Sequence, residues 1–214
     1  MGDRRLADIR REYSLKELTR RSVSSDPFEQ FAVWMDEALQ AEVPEGTAMT
    51  LSTAGLDGIA SSRVVLLKGY DESGFVFFTN YESRKGRELA SDPRASLNFF
   101  WPHLERQVNI RGSVERTSRE ESEEYFRSRP FESRIGAVAS HQSSTLASRQ
   151  DLESRVAELT KLYAGKDVPT PENWGGYCLA PIQFEFWQGR PSRLHDRICY
   201  RHIDEKWEIS RLYP

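Results

Sequence analysis

The sequence has few of the residues that build disulfide frameworks and metal sites. Its 214 residues include two isolated cysteines, Cys178 and Cys199, and four scattered histidines. We therefore expect neither a disulfide framework nor a zinc site. It also lacks an apolar run of about 18 residues, which argues against a membrane-spanning helix. The first residues form no apolar segment, so we expect no secretory signal, and a reducing cytoplasm is the default expectation.

Lysine is scarce as well. Only six of the 30 basic residues are lysines, and the net charge is −3. A negative net charge argues against general nucleic-acid binding. Arginine suits bidentate recognition of phosphate and carboxylate groups, but a general preference for arginine over lysine explains scattered arginines equally well. Only clustered arginines therefore point to a binding site.

The hydrophobic pattern predicts a mainly β fold with peripheral helices. Residues 1–25 are polar and rich in arginine, and we expect a flexible arm there, followed by one domain over residues 26–214. Asp26 and Pro27 predict the start of a helix. From Thr47 the pattern alternates with period two, and turns separate successive strands. Many hairpins with many aromatic residues indicate a small closed or half-closed barrel.

Several predicted boundaries matter for the site. We expect one long strand over Ile59–Tyr70 and two separate strands, Tyr177–Leu179 and Gln183–Gln188, near the C-terminus. Ser83 and Ser118 each precede a predicted helix, the second of which ends near Arg129 and Pro130.

The first candidate site is the stretch from Phe184 to Arg197. Its first half alternates aromatic and polar residues, as in a strand with one buried face. If the segment after Gly189 is extended, Arg193, His195 and Arg197 point to one side. Burying two guanidinium groups costs several kcal/mol per ion unless an anion accompanies them. This face is therefore either solvated surface or an anion site, and the neighbouring Trp187 suggests a flat, charged ligand.

The second candidate is Arg63–Lys68. Strict alternation places Arg63 and Lys68 on opposite faces of a strand, so one ligand that contacts both requires a long molecule or a twist or bulge. The alternative is that both charges extend from the ends of a core strand into solvent.

Two further segments carry possible phosphate sites. Ser83 begins a predicted helix whose free N–H groups favour an anion, and Arg84 and Lys85 would complete that site. Tyr125 and Arg129 lie four residues apart on another predicted helix, with Ser133 after Pro130. By itself this last group is equally an amphipathic helix end. Two anion sites with an apolar strand and Trp187 between them suggest a flavin mononucleotide and a phosphorylated aromatic substrate.

Together these segments resemble the pyridoxine/pyridoxamine 5′-phosphate oxidase family of the FMN-binding split-barrel superfamily. The resemblance runs from Arg10 to Pro214 and is most specific at residues 184–197, where E-F-W-Q, four variable residues and R-L-H-D-R all occur. Glu105-Arg106-Gln107 and Gln142-Ser143-Ser144 also match in order. Phe78 departs from the family pattern, since many relatives have tyrosine there.

The resemblance implies a split β-barrel that forms a homodimer with FMN between the subunits. The implied FMN contacts are Arg63, Val64, Val65, Leu66, Leu67, Lys68, Phe78, Thr79, Arg84, Lys85 and Gln107, with Gln142, Ser143, Trp187 and Arg197 from the second subunit. The implied substrate contacts are Arg10, Arg11, Glu12, Tyr13, Lys68, Tyr125, Arg129, Ser133, Arg193, Leu194 and His195, of which Arg193 and His195 are the catalytic residues. The arm would close over the substrate.

The implied reaction is the oxidation of pyridoxamine or pyridoxine 5′-phosphate to pyridoxal 5′-phosphate, with O2 as electron acceptor and H2O2 as product. Neighbouring guanidinium groups should lower the pKa of His195, so we expect this residue to orient the substrate rather than to act as an obligatory base. Two alternatives remain, an NADPH-dependent flavin reductase and a non-catalytic binder of the vitamin. An RNA-binding module is less consistent with the negative net charge.

Overall fold

The computed structural model describes residues 12–214, which form two compact units. The terminal unit contains residues 12–48, 97–111 and 181–214, and the central unit contains residues 49–96 and 112–180. Three strands, β5 (Arg94–Trp101), β6 (Arg106–Arg116) and β7 (Trp174–Gln188), run from one unit into the other. No helix among the described residues is long and apolar enough to cross a membrane.

The terminal unit contains helix α1 (Pro27–Gln40) and strands β8 (Asp196–Ile203) and β9 (Lys206–Leu212). The helix begins as the sequence predicts, because the Asp26 carboxylate accepts the Phe28 N–H at 2.7 Å. Its buried face, with Phe31 and Trp34, packs among aromatic side chains of this unit. The second half of β7 pairs antiparallel with β8, and β8 pairs antiparallel with β9.

The central unit contains the remaining strands, β1 (Ala48–Ala54), β2 (Ala60–Leu66), β3 (Gly69–Asp71) and β4 (Gly74–Asn80). The strand order is β2-β1-β5-β6-β7-β4-β3. Strand β4 pairs antiparallel with the first half of β7, from Phe75 opposite Leu179 to Asn80 opposite Trp174.

Four helices belong to the central unit: α2 (Arg84–Ser91), α3 (Arg119–Ser128), α4 (Phe131–Ala139) and α5 (Arg149–Leu162). Serine side chains cap three of them, because Ser83, Ser118 and Ser148 accept N–H groups of the first turn at 3.3, 3.0 and 3.1 Å. A cluster of buried apolar side chains joins α3, α4 and α5 to the start of β7. The caps at Ser83 and Ser118, and the helices that follow them, are ones the sequence predicts.

Two predicted strand boundaries are wrong. The expected long strand Ile59–Tyr70 is two strands, β2 and β3, which are separated by Leu67 and Lys68. Within this break the chain remains hydrogen-bonded to β4, because the Lys68 N–H donates to the Val76 carbonyl at 2.9 Å. The two expected strands near the C-terminus are one continuous strand, β7, in which Pro181 is half-buried between the exposed residues Ala180 and Ile182.

The condition on which the shared face depended, an extended segment after Gly189, is not met. A short 3-10 turn spans Pro191–Arg193, and both Ser192 and Arg193 adopt positive φ angles of 56° and 62°. The turn reverses the side-chain directions that alternation assumes, so Arg193, His195 and Arg197 do not share one extended face.

The predicted N-terminal arm is described only from Glu12 onward, and Arg10 and Arg11 lie outside the described residues. Within the described part, the Leu18 side chain is buried and its N–H donates to the Asp196 carboxylate at 3.0 Å. The flexible arm and the single domain over residues 26–214 remain predictions.

Gly112 of β6 allows the backbone of β7 to come close, and a substitution there can test this contact. A Cβ atom at Gly112 would lie 2.0 Å from the Ala180 carbonyl oxygen, whereas a Cβ at Gly136 in α4 would meet no atom within 4 Å. We expect Gly112→Ala to lower the free energy of unfolding by about 2 kcal/mol. The matched control Gly136→Ala should raise it by about 0.5 kcal/mol, because alanine favours the helix. Urea unfolding measures both, and an unchanged midpoint for Gly112→Ala would contradict the close approach.

Candidate functional site

The central unit contains a cavity of about 890 Å³ whose lining is strongly cationic. Four of the lining side chains are basic, namely Arg63, Lys68, Lys85 and Arg129. Among the described residues, no aspartate or glutamate lines this cavity. A concave site with four cations and no acid favours a ligand that carries several negative charges.

Strand β2 and Lys68, which lies in the strand break, supply one wall. Arg63 and Lys68 both line the cavity, although strict alternation places them on opposite faces. The break at Leu67 and Lys68 resolves this conflict, since Lys68 no longer follows the alternation of β2. Val64, Val65 and Leu66 line the cavity between them, while Leu67 is buried at 6% exposure.

A buried carboxylate holds Arg63 in place. Glu88 of α2 is fully buried and accepts hydrogen bonds from Thr53 at 2.6 Å, from Arg63 at 2.8 Å and from Arg84 at 2.8 Å. Burial alone would raise the pKa of Glu88, but these hydrogen bonds outweigh that effect and lower the pKa to about 2. Glu88 is therefore ionised and fixes the Arg63 guanidinium at the cavity wall.

Arg84 and Lys85 have different surroundings at the start of α2. Arg84 pairs with Glu88 one turn later and approaches Asp57 at 3.9 Å. These two carboxylates compensate its positive charge at the helix N-terminus, so no anionic ligand is needed to explain it. Lys85 instead lines the cavity, where its Nζ donates to Thr79 Oγ1 at 3.2 Å and to Gln142 Oε1 at 2.9 Å. Burial lowers the pKa of Lys85, and the charge of Arg63 lowers that pKa further.

Gln142 has contacts within its own chain that the resemblance does not imply. The sequence resemblance assigns Gln142 and Ser143 to the second subunit, yet Gln142 of the same chain accepts hydrogen bonds from Lys85 and Thr79. Ser143 is exposed and adopts a positive φ of 72°. The contact between Lys85 and Gln142 therefore needs no partner chain.

Aromatic rings and a half-buried guanidinium form another part of the lining. The Phe78 ring stacks on Tyr125, with centroids 4.0 Å apart, and on Trp174 at 5.5 Å. Arg129 follows the last residue of α3 with an extended backbone, which differs from the predicted helical position, and its guanidinium lies 4.8 Å from the centre of the Trp174 ring.

Arg129 has an unmet hydrogen-bonding need. Its Nη1 is buried and, among the described residues, has no hydrogen-bond partner. Burial lowers the pKa of this guanidinium, although arginine stays protonated. Ser133 lines the same cavity. A buried cationic donor without a partner is costly, and an anionic ligand would satisfy it.

The terminal unit holds the second group of predicted site residues. Tyr13 packs edge-on against Trp187 and His195, with ring centroids 5.7 and 5.8 Å apart, and Trp187 lies 4.6 Å from His195. His195 Nδ1 accepts the Arg190 N–H at 3.1 Å, so the neutral ring carries its proton on Nε2. Burial lowers the pKa of His195, and the charge of Arg193 lowers it further. The predicted direction is confirmed, with burial as the larger cause.

The other predicted residues of the terminal unit are placed as follows. Arg197 forms two hydrogen bonds of 2.8 and 2.9 Å with the Glu185 carboxylate, which raise its pKa. Arg193 and Leu194 are exposed on the turn, and Glu12 is exposed in the arm. Gln107 is half-buried on β6.

Two residues of these sites, Glu88 and Trp174, escaped the sequence analysis, and Glu105 was named only within a matching motif, without a role. Glu88 had a local signal, because it stands four residues after Arg84 on a predicted helix. Nothing local indicates the contacts of Trp174 and Glu105, since their partners are distant in the sequence.

Glu88 gives the central unit a defined pH dependence. Its folded pKa of about 2 lies below the ordinary value of 4.5, so its ionisation contributes stability above that value and loses this contribution as pH falls toward 2. We expect Glu88→Gln to lower the free energy of unfolding by about 3 kcal/mol at neutral pH, because Arg63 loses its ionic partner. The difference from the unchanged protein should shrink below about pH 4. Urea unfolding at several pH values measures it, and a difference that is constant down to pH 2.5 would refute this role.

Two family models and several named relatives match this chain. The family model described as pyridoxamine 5′-phosphate oxidase matches residues 35–163, and that of the pyridoxine 5′-phosphate oxidase C-terminal dimerisation region matches residues 174–214. Pyridoxine/pyridoxamine 5′-phosphate oxidases from Thermosynechococcus vestitus and Paraburkholderia xenovorans are each 56% identical, over 98% of this chain and 99% of theirs.

Solved structures show the same fold. PhzG from Burkholderia lata, in complex with tetrahydrophenazine-1-carboxylic acid, is 33% identical with a TM-score of 0.88, over 94% of this chain and 100% of that one. A pyridoxamine 5′-phosphate oxidase-related, FMN-binding protein from Nostoc punctiforme is 16% identical with a TM-score of 0.68, over 90% of this chain and 100% of that one, and it shows the fold alone. The predicted split β-barrel with peripheral helices is confirmed. The chain belongs to the pyridoxamine 5′-phosphate oxidase family and is an oxidoreductase of the flavin-binding split-barrel type.

Proposed function

We propose that the protein oxidises pyridoxamine 5′-phosphate and pyridoxine 5′-phosphate to pyridoxal 5′-phosphate, with FMN as cofactor and O2 as acceptor. The observation that carries the proposal is the cavity, whose lining within residues 12–214 has four basic side chains and no acidic one. Relatives of the protein that are 52–56% identical to it are named pyridoxine/pyridoxamine 5′-phosphate oxidase, and this supports the proposal. The amine substrate would consume O2 and water and release ammonia and H2O2, and the alcohol would release H2O2 alone.

The cationic lining fits two phosphate groups. Arg63 and Lys85, supported by Thr79 and Gln142, would hold the phosphate of FMN. Lys68, Tyr125, Arg129 and Ser133 would hold the phosphate of the substrate, and the unpartnered Nη1 of Arg129 supports this assignment. When bound, FMN would accept a hydride from the substrate, and O2 would then reoxidise the reduced FMN.

The apolar residues of β2 suit a planar ring. Val64, Val65 and Leu66 line the cavity, and their main-chain groups can bind the edge of a heterocycle. In the proposed homodimer, Trp187 and Arg197 of the second subunit would complete the FMN site. The match of residues 174–214 to the family's dimerisation region supports a homodimer.

His195 and Arg193 would orient the pyridine ring. With Nδ1 occupied by the Arg190 N–H, neutral His195 has a donor at Nε2 and no free acceptor nitrogen. The lowered pKa keeps the ring neutral near pH 7. His195 would therefore donate a hydrogen bond to a substrate oxygen, and Arg193 would stabilise negative charge that develops on that side of the substrate.

The phosphate assignment has a direct test with a matched control. In Arg129→Gln we expect KM for pyridoxamine 5′-phosphate to rise about 30-fold, because a charged contact to phosphate is lost, while FMN stays bound. Arg127→Gln alters an exposed arginine in the last turn of α3, two residues before Arg129, and should change little. Production of H2O2 and of the aldehyde measures turnover.

The same variants distinguish phosphate recognition from general damage. Unphosphorylated pyridoxamine lacks the group that Arg129 would bind, so Arg129→Gln should leave its kcat/KM nearly unchanged. Equal losses with both substrates would refute the assignment. A purified protein that binds no FMN, or that reduces flavin with NADPH but does not oxidise pyridoxamine 5′-phosphate, would refute the proposed function itself.

The role of His195 predicts a modest kinetic effect. We expect His195→Asn to slow flavin reduction by about 10 to 100-fold, since one orienting hydrogen bond is altered. Anaerobic stopped-flow measurement of flavin bleaching gives this rate. A loss of about 10⁴-fold would indicate obligatory base catalysis instead.

A further inference from the structure

Glu105 is a buried acidic residue that the proposed reaction does not use. It lies at the turn between β5 and β6 in the terminal unit, is 3% exposed and has a positive φ of 54°. A buried carboxylate is costly unless hydrogen bonds compensate it, so its partners indicate its role.

The partners of Glu105 belong to two separate segments of the terminal unit. Its carboxylate Oε2 accepts the N–H groups of Ser14 and Leu15, at 2.8 and 3.1 Å. Its main-chain carbonyl accepts the Gly189 N–H at 2.7 Å and the Gln188 side-chain amide at 3.2 Å. One residue thus ties the residues after Tyr13 to the residues after Trp187.

Gly189 shows how close the two segments come. A Cβ atom at this position would lie 2.7 Å from both Cβ and Cγ of Tyr13. Tyr13 therefore rests directly on the Gly189 backbone, with its ring against Trp187 and His195. Neighbouring parts of the arm have their own contacts, because Leu18 binds Asp196 and Glu17 pairs with Arg190 at 2.6 Å.

We propose that Glu105 is a positioning residue that seats Tyr13 against Trp187 and His195, through the two hydrogen bonds its carboxylate accepts from the arm. The seating itself does not depend on the proposed function. Its effect on catalysis rests on that function, since a displaced Tyr13 would leave His195 free to change its orientation.

The test uses the full-length protein with three variants and one control. Glu105→Ala removes the acceptor, whereas Glu105→Gln keeps a side-chain oxygen that can accept both N–H groups. Gly189→Ala leaves Glu105 unchanged and places a methyl group in the space of Tyr13. Glu124→Ala alters an exposed glutamate of α3 and serves as the control.

Limited trypsin digestion reports the seating without any enzymatic activity. We expect cleavage after Lys16 to accelerate about tenfold in Glu105→Ala and in Gly189→Ala, because local opening of the arm becomes easier. Glu105→Gln and Glu124→Ala should be cleaved at nearly the original rate. Gly189→Ala keeps the test decisive if Glu105→Ala does not fold.

Kinetics then connect the seating to the site. If the protein has the proposed activity, Glu105→Ala should raise KM for pyridoxamine 5′-phosphate about fivefold or more, with a smaller change in kcat and with rescue by glutamine. Unchanged cleavage in a folded Glu105→Ala variant would overturn the proposal, as would unchanged cleavage in Gly189→Ala or a glutamine variant as impaired as the alanine variant. An inactive starting protein would refute the proposed function, while the digestion result would still decide the role of Glu105.

Discussion

The central unit depends on the pairing between one buried carboxylate and the arginine beside it. Four cationic side chains line the cavity, and their mutual repulsion and desolvation oppose folding. Glu88 offsets part of this cost from behind the wall, since it binds Arg63, Arg84 and Thr53 while remaining outside the cavity lining. The cavity therefore keeps its positive charge while Arg63 stays fixed, which is the arrangement that a multiply charged ligand requires.

In the aromatic part of the cavity, too, neighbouring side chains hold a cationic residue in place without neutralising its charge. Phe78, Tyr125 and Trp174 stack on one another, and Trp174 also lies beneath the guanidinium of Arg129. Phe78 interacts with its neighbours through its ring, so the absence of a tyrosine hydroxyl leaves this stack intact. The ring stack holds Arg129 in place without neutralising it, which leaves its Nη1 available for a ligand.

Local sequence signals predicted the elements, but not the contacts between distant residues. The caps Asp26, Ser83 and Ser118 were visible because a cap depends on residues within one turn. The break after Leu66 was not visible, because the apolar run continues through Leu67. The turn at Ser192 and Arg193 was missed for another reason. Non-glycine residues seldom adopt positive φ, and no local sequence pattern predicts that these two do.

The candidate site shows the same limit. The resemblance named Lys85, Gln142 and Arg129 as ligand contacts, and the structure brings all three to one cavity. It could not show that Gln142 reaches Lys85 within one chain, because the two residues are 57 positions apart. Nor could it show that Arg84 pairs with Glu88, whereas Nη1 of Arg129 has no hydrogen-bond partner in the part of the chain that the structure describes, since these facts depend on packing.

The pairing of β7 has a consequence for how the chain is made. Strand β4 ends at Asn80, and its partner Trp174 follows more than 90 residues later. During synthesis, β4 therefore has an unpaired edge until β7 has left the ribosome. Such edges favour association with other chains, so the nascent protein is most exposed to misassembly during this interval. A chain that stops before residue 174 would keep that edge permanently open.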